Sequence, residues 1–117
     1  MQEASVFDFQ AVAMKFTEAL TDRDYSEADI LLSTEYHNSM NADQLKEEFE
    51  KIVPPDWGDI GHIEIGTILD DWPDKQPSDL GWVYVSIGGD VYSEGPTLVL
   101  MSENGNARVR EVEFGRP

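Results

Sequence analysis

Phe9, Val12, Ala13, Phe16, Ala19 and Leu20 recur three and four residues apart, which places them on one face of a helix. Ser5 with Asp8 three positions later predicts the start of that helix, because a carboxylate at the third position can reach back to the cap. Thr21-Asp22-Arg23 breaks the pattern. Asp24 with Glu27 predicts a second start, and Ala28, Leu31 and Leu32 give it a short apolar stripe that Ser33 and Thr34 end. Asn41 with Gln44 predicts a third helix, with Leu45, Phe49 and Ile52 at i, i+4 and i+7. Pro54-Pro55 stops it, since proline lacks a backbone donor and disfavours a helical residue before it.

Beyond the prolines the period falls to two. From His62 to Leu69, Ile63, Ile65 and Leu69 are expected on one face, with His62 and Glu64 on the other. Asp70 to Asp79 holds two prolines and reads as a loop. Gly81 to Ile87 alternates again, with Val83, Val85 and Ile87 against Trp82, Tyr84 and Ser86. Gly88-Gly89-Asp90 reads as a tight turn, and Val91 to Ser102 as a long strand in which Gly95-Pro96 predicts a bulge or bend. Asn104-Gly105 is a strong hairpin signal leading into a last strand from Ala107 to Phe114. There Val112 and Phe114 fall in register with Arg108 and Arg110 rather than with Val109, so a bulge is expected to swap the faces. The fold class expected is α+β, with three N-terminal helices packed on a curved four-stranded antiparallel sheet in a single domain over residues 1–117.

Composition narrows the function. The 117 residues include 24 acidic and 8 basic side chains, for a net charge of -16. Such a chain is a poor partner for nucleic acid or an anionic membrane, and suits a basic partner. The absence of cysteine excludes disulfides, thiol nucleophiles and cysteine-based metal sites. No apolar run approaches the ~20 residues that span a bilayer. The first residues, MQEASVFDF, do not read as a signal peptide, and a cytoplasmic location is expected.

Several segments together resemble the nuclear transport factor two-like superfamily, also called SnoaL-like, with a cystatin-like cone fold. "FDFQAVAMKFTEALTDRDYSEADILLS" is similar to its long first helix and the small helix that follows an Asp-Tyr turn. "NADQLKEEFEKI" is similar to its third helix, and "TLVLMSENGNARVREVEFGRP" to its closing hairpin. Ala107 stands where many members carry tryptophan. The resemblance implies a pocket between helices and sheet and, in many members, pairing of two copies sheet to sheet. It implies no single function, because the superfamily holds enzymes, association domains and toxin-immunity proteins.

Candidate chemistry is sparse. Ketosteroid isomerase needs carboxyl groups at inward, apolar positions. Here the inward positions carry Ile63, Ile65, Leu69, Val83, Val85 and Ile87 without an Asp or Glu among them. His37, in Tyr36-His37-Asn38, is the one candidate general base, as in the His-Asp dyad of the superfamily's dehydratases. That reading requires His37 inside a cavity and in reach of a carboxylate; otherwise it is a solvated loop residue. His62 and Glu64 share a face but are too few for a metal site. Asp70, Asp71, Asp74 and Asp79 lack the spacing of an EF-hand loop and read as a solvated, self-repelling loop. Trp57 is a candidate plug at a pocket mouth or a packing residue. No phosphate-cradling glycine pattern and no nucleophile elbow occurs.

The expected function is therefore a non-catalytic binding or association domain recognising a small apolar ligand or a partner protein. The alternatives are an immunity-type protein that neutralises a basic toxin and a SnoaL-like isomerase or dehydratase using His37. Tyr36, His37 and Trp57 are the candidate pocket residues. His62, Trp82, Tyr84, Arg108 and Arg110 are the candidate homodimer face, and neither metal nor cofactor is expected.

Overall fold

A computed structural model describes residues 9–52, 62–69, 71–88 and 93–114, with the side chains of 52, 62, 93 and 94 left out. The Ser5–Asp8 helix start, Pro54-Pro55, Trp57 and the Gly89-Asp90 turn therefore lie outside the described residues, as does the His62 side chain. Helices α1 (Phe9–Thr21), α2 (Tyr25–Ile30), α3 (Thr34–His37) and α4 (Ala42–Ile52) precede strands β1 (His62–Leu69), β2 (Asp79–Gly88), β3 (Ser93–Glu94), β4 (Pro96–Glu103) and β5 (Asn106–Phe114). The strands form one antiparallel sheet in the order β1-β2-β4-β5, with the two-residue β3 also paired to β2. The expected α+β architecture is the one observed.

The helix starts follow the side-chain chemistry. Asp24 accepts a hydrogen bond from the Glu27 N–H at 3.2 Å and caps α2. At α4 the capping box closes both ways: the Gln44 N–H donates to the Asn41 side chain at 3.1 Å, and the Asn41 N–H donates to the Gln44 side chain at 3.0 Å. Asn41→Ala removes half of that exchange and is expected to cost about 1 kcal/mol, read as a lower urea midpoint at unchanged slope.

One helix was not expected. Where the sequence suggests a loop, α3 forms because two partners satisfy its first N–H groups. The Ser33 hydroxyl accepts from Tyr36 N–H, and the Glu103 carboxylate, 69 positions away, accepts from Thr34 N–H. Leu31 and Leu32, expected on α2, lie beyond its end, where Leu32 makes a parallel bridge with Val109 on the outer edge of β5.

The core lies between α1, α4 and one face of the sheet. Phe16 and Leu20 of α1 and Leu45 and Phe49 of α4 are fully buried against Val83, Val85, Ile87, Leu98, Leu100 and Val109. Gly81 lets α1 approach closely, since a Cβ there would come within 2.5 Å of the Phe9 ring. The Asn104-Gly105 turn has positive φ at both residues, +56° and +83°, the geometry that matches strand twist in a two-residue hairpin. Gly95 separates β3 from β4 in the stretch where one long strand with a bulge or bend at Gly95-Pro96 is expected, and a Cβ there would collide with the Val85 carbonyl oxygen.

Three register shifts occur among the described strands, one of them in β2 between Asp79 and Gly81, and those in β1 and β5 bear on the expected faces. In β1 the register shifts between Ile65 and Thr67. Ile68 then pairs with inward Val83, while Leu69, expected inward, pairs with outward Trp82. The alternation read from the sequence is correct up to Ile65 and inverted after Gly66, since one extra residue flips every following side chain. In β5 the shift falls between Val109 and Glu111 and sets Val109 and Val112 on the same inward face, with Arg110 as the extra residue. This is the face swap expected there.

Candidate functional site

Two regions bring candidate residues together: the sheet face turned away from the helices, and the outer edge of β5.

On the outward face, residues paired across strands form rows. Leu69, Trp82, Val99 and Glu111 make one row, Thr67, Tyr84, Thr97 and Glu113 the next, and Asp79, Met101 and Arg108 lie beyond the first. Tyr84 lies over Gly66, which leaves room for its ring. Val99 is 6 % exposed, while Leu69 at the β1 end of the same row is 38 % exposed. The face is thus an apolar and aromatic band, bounded along β5 by Arg108 at one end and Glu111 and Glu113 at the other. Trp82, Tyr84 and Arg108 come together there as the alternation suggests.

Arg110 has a different setting. Its Nε and one terminal nitrogen donate to the two carboxylate oxygens of Asp79 at 2.6 and 2.8 Å, a forked pair that spans β4. The same terminal nitrogen reaches the Asp74 carbonyl at 3.4 Å. Asp79 also accepts from the Gln76 N–H at 2.8 Å, and its side chain is fully buried. Burial alone would raise its pKa. The hydrogen bonds from Arg110 and Gln76 and the charges of Arg110 and Lys75 outweigh burial and hold the carboxyl below the usual carboxylate range. Asp79, expected in a solvated, self-repelling loop, is instead buried, because Arg110 supplies the opposite charge. Sequence gave no signal for this pair, 31 positions apart.

Along the outer edge of β5, the chain covers the strand's free groups. Ser33 N–H donates to the Val109 carbonyl at 2.8 Å and Val109 N–H to the Leu31 carbonyl at 2.9 Å. The Tyr36 hydroxyl accepts from Val112 N–H at 3.1 Å and contacts the Val112 carbonyl at 3.4 Å. Burial is the main cause of the raised Tyr36 pKa. An open cavity of about 310 Å³ lies here, lined by Ser33, Glu35, Tyr36, Ser39, Gln76 and Arg110. Of the candidate pocket residues, Tyr36 lines it and His37 does not. Ser33, Glu35, Ser39 and Gln76 were not singled out by sequence.

His37 sits at the end of α3 with Nδ1 2.7 Å from the Asp29 carboxylate, so the dyad geometry exists. Its side chain is 51 % exposed and faces no described cavity. The carboxylate that the enzyme reading requires is in reach, and His37 does not line the cavity at the β5 edge. Among the described residues no group of three or more His, Asp or Glu could hold a metal ion, and no helix is long and apolar enough to cross a membrane.

No protein-family model matches the chain, and no curated protein matches it either.

Proposed function

We propose that this chain is a non-catalytic association domain of the nuclear transport factor two-like type, acting in the cytoplasm as a homodimer joined through the outward sheet face. The observation that carries the reading is the band of Leu69, Trp82, Val99, Tyr84 and Met101 on the face opposite the helices. Aromatic and apolar groups of this kind are enriched at the cores of interfaces. A second copy suits the face because its charges are self-complementary. A two-fold rotation that reverses β5 sets Arg108 of each copy toward Glu111 and Glu113 of the other. The space between helices and sheet is filled by fully buried Phe16, Leu20, Leu45 and Phe49, which favours a partner protein over a small apolar ligand.

The magnitudes set the affinity. Four strands about 4.8 Å apart and about eight residues long offer roughly 500 Å² per copy, the lower limit for a specific interface. Two bodies of charge -16 centred about 25 Å apart repel by roughly 2 kcal/mol at 0.15 M salt and by roughly tenfold more at 0.01 M. Two such patches bury roughly 1,000 Å², worth about 25 kcal/mol before an association cost of about 10 kcal/mol, and that surplus exceeds the first figure and not the second. Light scattering on the Trp82→Glu, Tyr84→Glu double variant tests the face. The expected result is a folded monomer by circular dichroism; a dimer that survives both substitutions places the interface elsewhere.

The enzyme reading has less support. A His37 side chain half open to solvent and outside the cavity at the β5 edge is poorly placed to hold a substrate away from water.

A further inference from the structure

The polar groups of the cavity at the edge of β5 are unequally committed. Arg110 is engaged by Asp79, the Asp74 carbonyl and, at 3.5 Å, Glu111. The Tyr36 hydroxyl is engaged by the Val112 backbone. The Ser39 hydroxyl gives its proton to the Tyr36 carbonyl at 3.3 Å, which leaves its oxygen as an acceptor. The Glu35 carboxylate and the Gln76 side-chain amide make no hydrogen bond or ion pair among the described residues, and both line the cavity. What remains open to a ligand is the Glu35 carboxylate, the Gln76 side-chain amide, Ser39 Oγ as an acceptor and the Ser33 hydroxyl proton, with Glu35 the one charged group among them.

Charge points the same way. The one positive group at the cavity, Arg110, is already offset by Asp79 and Glu111, and Glu35 adds a further negative charge. An anion would meet net repulsion there, while a cation would be attracted. A ligand with three N–H donors on one charged atom can use the Glu35 carboxylate together with the Gln76 side-chain carbonyl and Ser39 Oγ. The volume of about 310 Å³ admits a four-carbon stem with its ammonium head.

We propose that this cavity binds a primary alkylammonium group, with Glu35 as the charged acceptor and Gln76 and Ser39 as the neutral ones. The two sources of that group are a lysine side chain of a polypeptide and a small free amine.

The test is amide NMR on the full chain, titrated separately with Nα-acetyl-lysine methylamide, n-butylammonium and acetate. The expected result is a saturable shift at Ser33, Glu35, Ser39 and Gln76 with both amines and none with acetate. Glu35→Gln, at an exposed position, is expected to leave the remaining spectrum in place and to weaken the amines about tenfold, the loss of one charge-assisted hydrogen bond. Tighter binding of the lysine derivative assigns the site to a polypeptide lysine; equal binding assigns it to a small amine. Linear shifts spread over the acidic surface, saturable binding of acetate, or amine affinity unchanged in Glu35→Gln would overturn the proposal.

Discussion

Replacing Phe16 with alanine is expected to lower stability by roughly 3–5 kcal/mol, the usual cost of deleting a fully buried aromatic ring. Phe16 stands in the middle of the α1 stripe, with no exposed surface, in the cluster that also holds Leu20, Val83 and Leu100. Removing the ring leaves a cavity that the strands cannot close without breaking their ladder. The loss is a large part of the ~5–15 kcal/mol that holds a domain of this size together. Urea denaturation reads it as a large drop in midpoint. An unchanged midpoint would mean that α1 does not seat its apolar face on the sheet.

Asp79→Ala is expected to cost about 3–5 kcal/mol as well, because it leaves Arg110 partly buried with its carboxylate removed. Asp79→Leu combined with Arg110→Met should recover much of the loss, since a buried pair and an apolar replacement are often close in stability. The pH dependence has a definite sign. The folded Asp79 carboxyl titrates below the ordinary aspartate range, so its stabilisation is complete above that range. It is lost as pH falls from the ordinary aspartate range through the lower folded value. Acid denaturation of the double variant should therefore show a shallower fall in that window. An equally steep fall would place the acid sensitivity on other carboxylates.

These two substitutions divide what could be read from sequence from what could not. The Phe16 stripe, the Asn41–Gln44 box and the Asn104-Gly105 hairpin are local, settled by residues within about one or two turns of each other. Each was visible in the spacing of apolar, capping and turn residues. The Asp79–Arg110 pair joins two strands across a third, and no periodicity in the chain marks it. Helix α3 is unmarked in the sequence for the same reason, since its cap includes a carboxylate from the far end of β4. The phase error at Leu69 has a local cause, the bulge at Gly66, but glycine in a strand marks a bulge only when the partner register is known. The outward band was legible through Trp82 and Tyr84, while the inversion after Gly66 adds Leu69 to it. The cavity was least legible, because its lining comes from α3 and its flanks, from the loop before β2 and from the bulge of β5.

Sedimentation equilibrium of the unmodified chain at micromolar concentration, at about 0.15 M and about 0.01 M salt, tests the pairing face most directly. Burial of the apolar band outweighs screened repulsion but not unscreened repulsion between two copies of charge -16. The account predicts the mass of two chains at the higher salt and of one chain at the lower. The mass of one chain at both salts would contradict it.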